Sequence, residues 1–106
     1  MINTIEHLLE RYIYTITTVC TEKNYRNTRC VGWVSENDEA YDIVTNNHGD
    51  IAESGYYQYA IIEQMGEGLY YTPKEEFWFE WNADTKKYDP IDTPKEFKNV
   101  TGFGMG

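Results

Sequence analysis

Ten consecutive residues, Tyr12 to Thr21 (YIYTITTVCT), carry no charge and are almost all β-branched or aromatic. β-Branched side chains lose rotamer freedom against the preceding turn of a helix but pack well on a pleated surface. The run therefore reads as a strand buried on much of both faces. Such a strand needs neighbours on either side and cover above and below, and the rest of the chain has to supply them. With 106 residues, of which 10 are Tyr, 4 Phe and 3 Trp, the chain has the material for one core without disulfides or a structural metal. The expected organisation is a single small α+β domain over residues 1–106.

Around the central run the pattern is punctuated. Residues 2–11 place Ile2, Ile5, Leu8 and Leu9 at helical spacing, which predicts a short N-terminal helix. A polar loop, 22–28, leads to a second strand over Arg29–Val34. A hairpin centred near Tyr25 would set Cys20 across from Cys30, Val19 from Val31 and Thr17 from Trp33. Ser35, followed by Glu36, Asp38 and Glu39, predicts a helix from about 36 to 47, capped by the serine hydroxyl and closed by Gly49 in a left-handed conformation. Tyr56–Met65 reads as a third strand, with Tyr57, Tyr59 and Ile61 on one face and Gln58, Ala60 and Ile62 on the other.

Glu76–Asn82 alternates, setting Phe77, Phe79 and Trp81 on a core face against Glu76, Trp78 and Glu80 on a partly wet one. Leu69–Thr72 can form a short strand ahead of Pro73. Tyr88–Ile91 returns as an edge strand, where Pro90 is tolerated. Thr93-Pro94-Lys95-Glu96 predicts one helical turn. The sum is a mainly antiparallel sheet of four to five strands with the 36–47 helix packed on one face, plus the short N-terminal helix. The other face is covered either by that N-terminal helix or by a second copy in a homodimer.

The charge is lopsided. Eighteen acids against nine bases give a net charge of −9, which opposes direct binding to nucleic-acid backbones. Between Arg29 and Lys74 there is no Lys or Arg, while Glu36, Asp38, Glu39, Asp42, Asp50, Glu53, Glu63 and Glu67 fall there. This is a solvated acidic face or a docking surface for a basic protein. No apolar run reaches the ~18 residues of a membrane span, and the N-terminus lacks the pattern of a secretory signal, so the expected setting is the cytoplasm with Cys20 and Cys30 as free thiols.

Motifs for catalysis and metal binding are sparse. His7 and His48 stand apart, Cys-x-x-Cys is absent, and Asn46-Asn47-His48-Gly49-Asp50 has the letters that a helix end and turn require. Carboxylate pairs such as Glu76 with Glu80 follow from composition. No catalytic residue, metal site or cofactor is therefore assigned. Trp78, between Glu76 and Glu80 on the wet face, is the candidate exposed aromatic, a type of side chain that anchors interfaces or stacks on ring ligands. Lys23, Arg26 and Arg29 would be the phosphate partners for such a ligand.

Several strings in the chain resemble an uncharacterised family of short acidic proteins from Gram-positive gut bacteria, their prophages and phages. They are Arg29-Cys30-Val31-Gly32, Glu39-Ala40 ahead of Ile43-Val44, Asn47 with Gly49-Asp50-Ile51, Tyr57-x-Tyr59-Ala60-Ile61-Ile62-Glu63, Gly68-Leu69-Tyr70, Trp78-x-x-Trp81-Asn82, Pro90-Ile91, Pro94 and Phe103-Gly104. The resemblance covers about Tyr12 to Gly106 and implies a phage or mobile-element accessory protein, of the kind that counters host defence by occupying a protein surface or sequestering a nucleotide signal. Two expectations follow. The first is a non-enzymatic protein of the host cell cytoplasm that blocks a host protein with a basic surface through Glu36, Asp38, Glu39, Asp42, Asp50, Glu53 and Trp78. The alternative is a protein that binds and sequesters a small nucleotide, stacked on Trp78, Tyr57 or Tyr59 with its phosphates on Arg26 and Arg29.

Overall fold

A computed structural model describes residues 12–21, 27–66 and 75–98. These form β1 (Tyr12–Cys20), β2 (Asn27–Val34), helix α1 (Asn37–Thr45), a 3-10 turn (His48–Asp50), β3 (Tyr59–Gly66), β4 (Glu75–Asn82), β5 (Lys87–Ile91) and a second 3-10 turn (Lys95–Phe97). The strands make one antiparallel sheet in the order β2-β1-β3-β4-β5, so the fold is α+β as the patterning predicts. The predicted N-terminal helix and the short strand at Leu69–Thr72 lie outside the described residues.

β1 is paired on both sides, and all of Thr15–Cys20 is buried. That placement explains the uncharged centre of the run, because a charge anywhere in Thr15–Cys20 would be taken out of water. On one face of the sheet Ile16, Ala60, Ile62, Phe79 and Tyr88 pack against Ala40 and Val44 of α1 and against Ile51 and Ala52 just beyond it. On the far face Val19, Ile61 and Trp78 pack with Phe97. Burying each large apolar side chain of these clusters contributes about 1.5–3 kcal/mol before entropy is counted.

Tyr88 has its ring in the helix-side core and donates from its hydroxyl to the Tyr57 carbonyl at 2.7 Å. Burial pushes its pKa far above the ordinary tyrosine value, so the hydroxyl stays a donor. Tyr88→Phe removes this buried bond and is expected to destabilise the fold by about 1–3 kcal/mol. A lowered urea midpoint at unchanged slope is the readout, and an unchanged midpoint contradicts the assignment.

Three local expectations are corrected. The β1–β2 hairpin pairs Cys20 with Asn27, Val19 with Thr28 and Thr17 with Cys30, then shifts register between Ile16 and Thr17 so that Thr15 faces Trp33. Cys30 therefore shares the far face with Thr17, whereas Cys20 lies on the helix side. α1 is capped by Glu36, with no side-chain cap bond, and not by the Ser35 hydroxyl. At its other end the left-handed residue is Asn47, at φ 49°, followed by Gly49 at φ 66°. An asparagine tolerates this conformation because its short amide can bond locally, as described next.

Candidate functional site

The acidic segment folds into a helix followed by a tightly wound loop. Asp38 and Glu39 fill the first turn of α1, where the helix dipole favours negative charge. Asp38, Glu39 and Asp42 are exposed on helix positions turned away from Ala40 and Val44, and Glu36 is exposed as the extended N-cap residue. Asp42 accepts from Asn46 Nδ2 at 2.8 Å and meets His48 Nε2 at 3.2 Å. Among the described residues, Glu36, Asp38 and Glu39 have no salt bridge.

Beyond α1 the backbone turns left-handed repeatedly, at Asn47, Asp50, Glu53 and Ser54. One side chain organises this stretch. Asn47 Oδ1 accepts from the Ala52 amide at 3.0 Å while its Nδ2 donates to Asp50 Oδ1 at 3.1 Å. Asp50 Oδ1 also accepts from the Ser54 amide at 3.1 Å. The Ser54 amide first, and the Asn47 amide second, hold the Asp50 carboxyl below its ordinary value. Glu53 is bound at 2.6 Å by Arg29 Nη1, which draws a rim residue of β2 onto the loop.

Six of the seven residues expected to bind a partner are thus exposed on the stretch from α1 through its following loop. The seventh is not. Trp78 is 2% exposed on the far face, its ring stacked on Phe97 with centroids 5.0 Å apart and planes 6° from parallel. The face that alternation marks as wet is covered there because the turn after β5 folds Phe97 onto it. Its indole N–H donates to Glu76 Oε1 at 3.2 Å, and Thr93 Oγ1 donates to the same oxygen at 3.3 Å. Glu76 therefore ties β4 to the segment after β5, while Glu80 points to solvent. Glu63, fully buried, stands in register between Thr15 and Glu76.

The described members of the alternative set do not converge on one open surface. Arg26 lies outside the described residues. Arg29, opposite Thr18 on the helix side, is occupied by Glu53. Tyr57 is 5% exposed, and burial followed by the Glu53 charge raises its pKa. Tyr59 belongs to the far face, edge-on to both Trp78 and Phe97. Among the described residues, no ring of this set stands beside an unpaired arginine.

Two features escaped the sequence. Trp33 is 63% exposed on edge strand β2, where Thr28 to Val31 are exposed as well. An edge position next to a polar loop was legible, but nothing in the letters separates a covered edge from a bare one. The second is a cavity of about 470 Å³ lined by Asn47, Asp50, Ser54, Trp81, Ala83 and Lys86. It forms where the loop after α1 meets the β4–β5 turn. A smaller recess of about 190 Å³ opens beside Glu76 and Thr93, whose polar atoms already bond each other.

No family model, curated protein or solved structure matches this chain. The site has to be read from its own geometry. Among the described residues there is no cluster of three His, Cys, Asp or Glu side chains able to hold a metal ion. Cys20 is buried, Cys30 is exposed, and the His48–Asp42 contact is solvent-exposed at the helix end. No described helix is long and apolar enough to cross a membrane.

Proposed function

We propose that this protein works by binding, without catalysis, and that it blocks a basic surface on another protein. The observation that supports this reading is the start of α1, where Glu36 at the N-cap and Asp38 and Glu39 in the first turn stand exposed and without a cation among the described residues. Asp42 and the loop acids Asp50 and Glu53 extend the same charge. Fixed carboxylates of one sign speed encounter with a basic partner and set its orientation. With the resemblance to phage and prophage proteins, the reading is an accessory protein of a phage or mobile element acting on a host protein, such as a defence factor, in the host cytoplasm. Trp33, exposed on edge strand β2, is paired with Thr15 on the far face of the sheet, so it stands outside this acidic surface.

The test is native mass spectrometry of the protein recovered from a host lysate, compared with the variant Glu36→Gln, Asp38→Asn, Glu39→Gln, Asp42→Asn. Wild type is expected to retain a basic protein that dissociates as salt rises, and the variant to weaken that complex by about tenfold or more while remaining folded. A retained nucleotide-sized mass, or a protein complex indifferent to the four substitutions, overturns the proposal.

A further inference from the structure

The cavity between the loop after α1 and the β4–β5 turn combines a size within the usual range for ligand pockets, ~300–1,000 Å³, with polar groups that are not all used. The Asp50 carboxyl accepts through Oδ1 from the Asn47 side-chain amide and the Ser54 backbone N–H, has the Ser54 hydroxyl beside it, and stays exposed. The Trp81 indole N–H makes no hydrogen bond among the described residues, and its nitrogen lies against Gly55. Ser54 and Asn47 complete one wall, Ala83 and Lys86 the other. Of the five non-glycine residues with positive φ among the described residues, four line this cavity: Asn47, Asp50, Ser54 and Lys86. Left-handed backbone at such residues is costly and persists where the surroundings fix it, often at sites of ligand contact.

The walls are held rigidly. Trp81 donates its backbone amide to the Gln58 carbonyl at 2.7 Å, and its ring stands edge-on to Tyr88 with centroids 5.4 Å apart. Gly55 lies so close that a β-carbon there would come within 2.8 Å of the indole nitrogen. Asp50 is fixed by Asn47 and Ser54. An indole and an ionised carboxylate, both immobilised, suit a flat cation. A guanidinium can donate to the exposed carboxylate while its plane rests against the aromatic ring, which a compact ammonium does less well. The lining itself holds one acid, Asp50, and one base, Lys86, but the surrounding field is acidic: the 44 residues from Cys30 to Pro73 contain eight acids and no Lys or Arg.

We infer that this cavity is an arginine pocket, into which the basic partner inserts a guanidinium side chain between Asp50 and Trp81. The inference rests on the proposed binding of a basic protein and names the group that anchors it. Lys86 opposes a cation and sets the sign of a decisive control.

The experiment is titration of the full chain with Nα-acetyl-arginine amide, followed by amide and indole N–H resonances. Saturable shifts of the Trp81 indole, Asp50 and Ser54 signals are expected, with a dissociation constant on the order of a millimolar for so small a ligand. Asp50→Asn, which keeps an acceptor for Ser54 and tolerates the left-handed backbone, should weaken binding by about tenfold or more. Lys86→Gln should tighten it by about two- to threefold. Absence of saturation in the tens of millimolar, or equal binding by Nα-acetyl-norleucine amide, overturns the inference. Tighter binding of inorganic phosphate, lost in Lys86→Gln, also overturns it and makes the cavity an anion site. Retention of a basic protein with an affinity unmoved by Asp50→Asn defeats the pocket alone. Arginine amide binding with no basic protein retained defeats the functional proposal and leaves the pocket.

Discussion

Replacing Trp78 with alanine is expected to lower the unfolding free energy by about 3–5 kcal/mol, the range for removing a large aromatic from a packed interior. Position along β4 assigns Trp78 to the same face as Glu76 and Glu80, so the strand pattern alone forecasts a change near zero. The structure forecasts the opposite, because the indole is stacked on Phe97, edged by Tyr59, and bonded to Glu76. Urea unfolding monitored by circular dichroism separates the two, with Trp33→Ala as the control. Trp33 is 63% exposed, and its loss should change stability by no more than about 0.5 kcal/mol. A Trp78→Ala midpoint within error of the control would mean that the turn at Lys95–Phe97 does not cover the far face.

Gly55→Ala is expected to cost about 2–4 kcal/mol, more than a surface loop substitution ordinarily does. Two causes add. Gly55 has φ 93°, a conformation that an L side chain rarely adopts, and the new carbon would lie 2.8 Å from Trp81 Nε1 and 3.2 Å from Cδ1. Trp81 cannot retreat freely, since its backbone is bonded to Gln58 and its ring to the Tyr88 edge. Thermal unfolding and the chemical shift of the Trp81 indole proton report the two causes together. An alanine variant as stable as wild type, with that resonance unmoved, would show that the loop after α1 yields and that the cavity wall is soft.

The five strands and the helix were legible because their side chains repeat with a period that burial enforces. β1 is uncharged since both its faces and both its edges are occupied, and β4 alternates since Phe77 and Phe79 meet Tyr41 while their neighbours turn away. What failed depends on contacts between residues distant in sequence or on how a turn is wound. The register of β1 against β2 moved from the Tyr25 centre by an odd step, which carried Cys30 to the face opposite Cys20. The cover over Trp78 comes from Phe97, nineteen positions later, and no local pattern announces it. The acids were legible as letters, and their exposure follows from the helix they begin. The cavity was not, because it needs Asn47, Asp50 and Ser54 in left-handed turns to face Trp81 and Lys86 across two loops.

The register shift in β2 has a consequence for how the protein behaves when crowded. Strand β2 is an edge with residues 28–31 exposed, an uncharged stretch beginning at Cys30, and neither proline nor lysine along it, the profile of a template on which further strands could add. The extra residue at Val31 breaks the spacing of its outward amides and carbonyls, so a foreign strand laid along it keeps step for about four residues before losing register. A strand added along this edge is thereby limited to a short, interrupted ladder, and the exposed Trp33 stands just past the break.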